Sequence, residues 1–315
     1  MKKVILSIIS VVCFATLAGC SATENSAGVS DEGKLSVIST VFTPYDFSRS
    51  ITGELADVSM LLPPAAESHS FEPTPQDIIK VQNSDVFVYV GGESDEWVNT
   101  ILESLDTSKM TVITLMDCVE VVEEEIVEGM EEEEEEEEGI AYDEHVWTSP
   151  KNAKLIVQKI SDALVSADPK NAAAYEKNTD DYLSRLTELD ASFQAVVDGA
   201  KRKTIVMGDR FPFRYLADAY GLDYFAAFPG CSTETECSAA TIAFLIDKIN
   251  AEQIPVVFHI ELSNENIAKS ISEATGAENL LLHACHNITK ADFDNGKTYI
   301  DLMKGNVETL KAALG

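Results

Sequence analysis

Five histidines, His69, His145, His259, His283 and His286, are the residues of this 315-residue chain best suited to chemistry. Neutral imidazole is the commonest metal-ligating side chain, and three or four ring nitrogens suit tetrahedral Zn2+. His69 lies in Glu67-Ser68-His69-Ser70-Phe71-Glu72-Pro73, whose proline favours a rigid site. His145 lies in Asp143-Glu144-His145-Val146-Trp147-Thr148-Ser149-Pro150, behind two acids and ahead of an apolar pair. His283 and His286 are separated only by Ala284 and Cys285. His259 sits within the apolar run around Val257 and Phe258 and reads as a hydrogen-bonded core histidine. Catalytic signatures are thin. There is no Gly-x-Ser-x-Gly elbow, no His-Glu-x-x-His pair and no phosphate-binding glycine loop. A zinc hydrolase remains an alternative, because Glu67 or Glu261 could act as a base beside a metal-bound water.

Along the chain, apolar runs alternate with amphipathic stretches. Strands are predicted over 35–41, 58–62, 86–90 and 110–115, with helices over 45–55, 75–83 and 96–105 between them. Thr74-Pro75-Gln76-Asp77 supplies a helix start, with Thr as cap and Pro in the first position. A helix over 152–166 follows. A second runs from Pro169 to Val197 without an internal Gly or Pro, long enough to cross a domain. Alternation resumes with strands over 204–207, 224–228, 255–262 and 279–283, helices over 213–220, 239–250 and 266–274, and a final helix over 299–314. The fold class is α/β: two lobes, each a parallel sheet flanked by helices, joined by one long rigid helix. The lobes are assigned to 35–150 and 200–315, with the joining helices at 151–199. In open parallel sheets ligands bind beyond the carboxyl ends of the strands. His69, His145, Asp209-Arg210, Glu261, His283 and His286 all fall there.

The ends and the charge narrow the class. Lys2-Lys3, an apolar run over 4–18 and Leu17-Ala18-Gly19-Cys20 form a secretory signal whose ending resembles a bacterial lipobox. The expectation is cleavage after Gly19, a lipid on Cys20 and a polar tether over 20–34, which anchor the protein outside the cytoplasm on the bacterial membrane. The formal net charge is −31, and an unbroken run from Glu131 to Glu138 within the acidic segment 123–144 supplies much of it. Such a run stays solvated, repels nucleic acid and attracts cations. Four cysteines remain after lipidation: Cys118, Cys231, Cys237 and Cys285. A disulfide is plausible outside the cell, with Cys231–Cys285 favoured and Cys231–Cys237 as the rival.

Together, the motif from Glu67 to Asp77, the motif from Asp143 to Pro150 and the long helix between two α/β lobes resemble the cluster A-I solute-binding lipoproteins that serve ABC importers of zinc and manganese. The resemblance covers everything after the tether. It implies a monomeric receptor, not an enzyme, that captures a divalent metal between its lobes and delivers it to an ABC permease. It also implies that His69 and His145 are ligands. The family's two further ligands fall on Arg210 and near Lys297, and neither can hold a metal. The expected shell is therefore His69, His145, His283 and His286 around Zn2+, with Glu261 or a water replacing one of the last two. Arg210 is expected to pair with Glu261 or Asp209. Mn2+ is the alternative cargo, although it calls for more oxygen ligands. A metal-stabilised surface adhesin is a further alternative.

Overall fold

A computed structural model describes residues 33–67, 71–130, 141–232 and 236–315. The expected signal, Cys20 and most of the tether lie outside these residues, as do His69 and the run from Glu131 to Glu138. The order is β1 (Leu35–Ser39), α1 (Phe42–Thr52), β2 (Ala56–Met60), α2 (Pro75–Gln82), β3 (Val86–Tyr89), α3 (Glu96–Ser104), β4 (Thr111–Thr114), α4 (Pro150–Ala167), α5 (Ala172–Asp198), β5 (Thr204–Arg210), α6 (Arg214–Tyr220), β6 (Asp223–Phe228), α7 (Ala239–Glu252), β7 (Val256–His259), α8 (Asn266–Thr275), β8 (Glu278–Leu281), α9 (Lys290–Asp294) and α10 (Tyr299–Leu314).

The strands form two four-stranded parallel sheets, ordered β2-β1-β3-β4 and β6-β5-β7-β8. The two lobes thus repeat one topology. Parallel strands are covered on both faces, so the central ones read as unbroken apolar runs; Val86, Phe87 and Val88 are fully buried. Helix starts are encoded locally. Thr74 and Asp77 close a reciprocal capping box on α2, with Pro75 in its first turn. Thr298 and Asp301 do the same on α10.

The long helix is α5, 27 residues and about 40 Å at 1.5 Å per residue. A 3-10 turn over Pro169–Asn171 precedes it. Its buried stripe of Tyr175, Tyr182, Leu186, Leu189, Phe193 and Val197 packs on α4 and α1 at one end and on α10 and α6 at the other. One apolar core therefore continues from the first sheet into the second. A polar knot closes it: Asp46 on α1 accepts from the Tyr299 amide (2.9 Å) and the Tyr182 hydroxyl (3.2 Å), tying both lobes to α5.

Two expectations are corrected here. All four described cysteines are free. Cys285 is fully buried with its thiol turned to the His283 carbonyl, whereas Cys231 is held by its amide to Glu124 Oε1 at 2.9 Å, so no Cys231–Cys285 bridge forms. Nor is the whole acidic segment a solvated loop. Its flanks pair, Glu124 N to Ala141 O (2.9 Å) and Asp143 N to Val122 O (3.0 Å). They lie on the second lobe, where Glu125 meets Arg214 (3.4 Å) and the Tyr224 hydroxyl (3.1 Å). Carboxylates that find a guanidinium and hydroxyls can order; only those without partners must stay in water.

Candidate metal site

The first-lobe side of the site is built by the 3-10 turn Val146–Thr148 and the residues before it. Val146 and Trp147 are fully buried and anchor the turn in the core. Trp147 Nε1 reaches across to donate to the Ala284 carbonyl (2.7 Å), and the Tyr299 hydroxyl donates to the Trp147 carbonyl (2.7 Å). So pinned, the turn presents His145. Asp143 Oδ1 accepts from the His145 amide (2.7 Å) and lies 3.1 Å from its Nδ1. A carboxylate at Nδ1 fixes the tautomer and leaves Nε2 with a lone pair for a cation. Burial pulls the His145 pKa down, but Asp143, Glu144 and Glu124 outweigh it and the net shift is upward.

Glu144 turns the other way. The Ser94 hydroxyl (2.5 Å) and amide (3.2 Å) donate to its carboxylate. Burial raises its pKa to about 7. Gly92 makes room for it: at φ +77° a Cβ there would stand 2.7 Å from Glu144 Oε2. Gly230 does the same on the facing wall, where a Cβ would meet the Phe211 carbonyl at 2.9 Å and Asp143 Oδ2 at 3.1 Å. Substitution at either position would push the wall into the acids.

The second-lobe side is the turn His283–His286, directly beyond β8. His286 is buried and its ring stands 5.2 Å from that of His145, nearly perpendicular. Among the described residues, Glu144, His145 and His286 form the group able to hold a metal ion: their ligand atoms lie within 4.8 Å of one another. Two imidazoles and a carboxylate are donors of the kinds a Zn2+ ion takes. A small cleft open to solvent lies at His145 and His286, walled also by Glu67, Arg210, Gly230, Glu261 and Asn287.

Of the expected ligands, the structure brings His145 and His286 together. His283 stays outside the group. Its Nδ1 accepts the Cys285 amide at 3.0 Å, a better contact than the 3.5 Å separation from Glu261 Oε2. A neutral ring accepting at Nδ1 carries its proton on Nε2, and that buried Nε2 has no partner. Neither nitrogen then offers a metal a lone pair. Glu261 also lies outside the group and accepts from the amides of Ala284 (2.6 Å) and His286 (3.0 Å). His259 lies at the end of β7, half-buried, with Nδ1 2.7 Å from Asn279 Oδ1. Arg210 pairs with neither Glu261 nor Asp209. It crosses the cleft to Glu67 (3.4 Å) and donates to the Ser232 carbonyl (3.1 Å). Lys297 pairs with Asp292 at 2.7 Å. Glu144 was missed as a candidate ligand, although it stands beside His145 in the motif. Adjacent residues usually point apart, and the sequence carries no sign that Glu144 and His145, which precede the 3-10 turn, bring their ligand atoms within 4.8 Å.

Comparison with known proteins agrees with this architecture. The family described as zinc-uptake complex component A, periplasmic (ZnuA), matches residues 37–313. The high-affinity zinc uptake system protein ZnuA of Bacillus subtilis is 33% identical over 306 residues, covering 96% of this chain and 95% of its own length. The zinc-binding lipoprotein AdcA of Streptococcus pneumoniae is 31% identical over 99% of this chain, which spans 61% of that relative's length. The crystal structure of the metal-dependent lipoprotein YcdH from Bacillus subtilis superimposes with a TM-score of 0.77 at 30% identity, covering 90% of this chain and all of that one. The Zn(II)-bound ZnuA-like domain of pneumococcal AdcA gives 0.75 at 29% identity, covering 90% and 99%. With two topologically matched parallel lobes, a shared helical spine and a histidine-carboxylate cluster at their seam, this chain belongs to the ZnuA family of zinc-uptake components.

Proposed function

We propose that the protein is an extracytoplasmic receptor that takes up Zn2+ at the seam between its lobes and delivers it to an ABC permease. The observation that carries this reading is the convergence of Glu144, His145 and His286, one pair from the first lobe and one residue from the second, on a single point. His69 completes the shell. It belongs by its motif and by following two residues after Glu67, which walls the same cleft. Three imidazoles and one carboxylate favour Zn2+ over Mn2+, which prefers a shell richer in oxygen. His283, given its bonding above, supports the shell from behind.

The lobes are taken as 35–150 and 200–315, with 151–199 as the spine. Cleavage before Cys20 and its lipidation place the receptor on the outer face of the membrane as a monomer. The family's description, a zinc-uptake component, supports solute binding as its role. Metal analysis of the purified protein, followed by competitive titration with Zn2+ and Mn2+, tests the cargo. One equivalent of tightly held zinc is expected. Preferential retention of manganese, or hydrolysis of model esters and phosphates by the zinc form, would replace this reading with another.

A further inference from the structure

The turn His283–His286 makes no regular secondary structure, yet each of its eight backbone polar groups is bonded. The amides of Ala284 and His286 both go to Glu261, at 2.6 and 3.0 Å, and those of His283 and Cys285 go to Asn306 Oδ1 (2.7 Å) and His283 Nδ1 (3.0 Å). Every one of these acceptors belongs to the second lobe. The carbonyls of Ala284, Cys285 and His286 face the opposite way. They accept from Trp147 Nε1 (2.7 Å), the Thr43 hydroxyl (2.6 Å) and the Phe42 amide (3.1 Å), all from the first lobe or its cleft wall. Asn306 Nδ2 takes the remaining carbonyl, that of His283, at 2.8 Å. Cys285 sits at φ +61°, a conformation that a non-glycine residue holds only when its surroundings over-determine it.

We propose that Glu261 is the positioning residue for His286. This rests on the reading of His286 as a ligand. A carboxylate is the one side chain that offers two acceptor oxygens and no donor, so it can take two amides of the turn at once. Those amides flank Cys285, and fixing both sets the direction in which the His286 ring leaves the backbone. Glu261 is buried two residues beyond β7, so the ring is tied to the end of a buried strand. An amide in its place would aim an N–H at one of the two backbone N–H groups, and the turn would relax away from it.

The test uses the full chain with Zn2+ and, as a spectroscopic probe, Co2+. E261Q is expected to weaken zinc binding about 10–100-fold and to alter the Co2+ ligand-field bands, which report the geometry of the shell. E261D, which keeps the charge but cannot span both amides, is expected to shift both in the same direction. In an H286A background, E261Q is expected to add no further loss, because its effect acts through that ring. Parent-like affinity and bands in E261Q, or a full additional loss in the double variant, would overturn the proposal while leaving the ligand reading intact. Parent-like zinc affinity in H286A alone would overturn both. Should E261Q fail to fold, E261D carries the same comparison.

Discussion

His145 and His286 face one another across the seam, but they are held in opposite ways. His145 is positioned from within its own segment. Asp143, two residues away, binds both its amide and its Nδ1, while the Trp147 anchor beside it reaches across the seam to the Ala284 carbonyl. His286 is positioned from afar, by Glu261 25 residues earlier in the chain and by α1 more than 240 residues earlier in sequence. One side of the site is a local motif, and the other is a junction that exists only when the lobes are assembled. The difference predicts that damage to the Asp143–His145 pair stays confined to metal binding, whereas damage around the turn His283–His286 also loosens the seam.

The largest effect separates ligands from neighbours. H145A and H286A should each reduce zinc affinity by at least about 100-fold, roughly one ligand's share of the ~10–16 kcal/mol a structural zinc site supplies. H259A should leave affinity unchanged, since that ring binds Asn279. Competition titration decides, and an equal loss in H259A would sink the assignment.

A smaller effect tests the local side alone. D143N keeps the shape of the side chain but removes the charge that orients His145, and should weaken zinc binding about 10–100-fold. The melting temperature of the metal-free protein should change little, because the fold around Trp147 is untouched. A large fall in that temperature would show that His145 too is held by the whole seam.

Protons compete with the metal on the first-lobe side. Burial raises Glu144 from 4.5 to about 7 and Asp95, close behind it, from 3.8 to about 6; the net shift at His145 is also upward. Groups with raised pKa values hold more protons in the folded chain than in the unfolded one. Between about pH 4.5 and 7 the metal-free protein should therefore gain stability as the pH falls. Zn2+ must expel those protons, so its affinity should fall over the same interval. Melting curves with and without zinc at several pH values check both signs; a metal-free protein that loses stability steadily below pH 7 would contradict the first.

The smallest effect belongs to the acidic run. Replacing Glu131 to Glu138 with serines, and leaving the anchored Glu124 and Glu125 alone, should slow zinc capture a few-fold at low ionic strength. It should do so hardly at all near 0.1 M salt, where screening acts over about 10 Å. Stopped-flow association measures it. Loss of the tight site itself would mean that the run supplies a ligand.

Much of this protein was legible from residue order alone. Apolar runs of four to seven residues between amphipathic stretches specify parallel α/β lobes, and the Gly- and Pro-free stretch before Asp198 specifies the spine, because these signals are short-range periodicities. The capping residue Thr74 and the motif around His145 are local in the same sense. The short helix α9, five residues with no apolar stripe, left no such trace. What the sequence could not decide was the second-lobe side of the site. His283 and His286 are equivalent as residue types, and Arg210 and Glu261 are as able to pair with each other as with anything else. Their roles are set by partners that only folding brings near: Cys285 takes His283 Nδ1 from the metal, two amides take Glu261, and Glu67 draws Arg210 across the cleft. Hydrogen-bond competition within a buried junction is decided by distances of a few tenths of an ångström between remote segments, and only the tertiary structure fixes those.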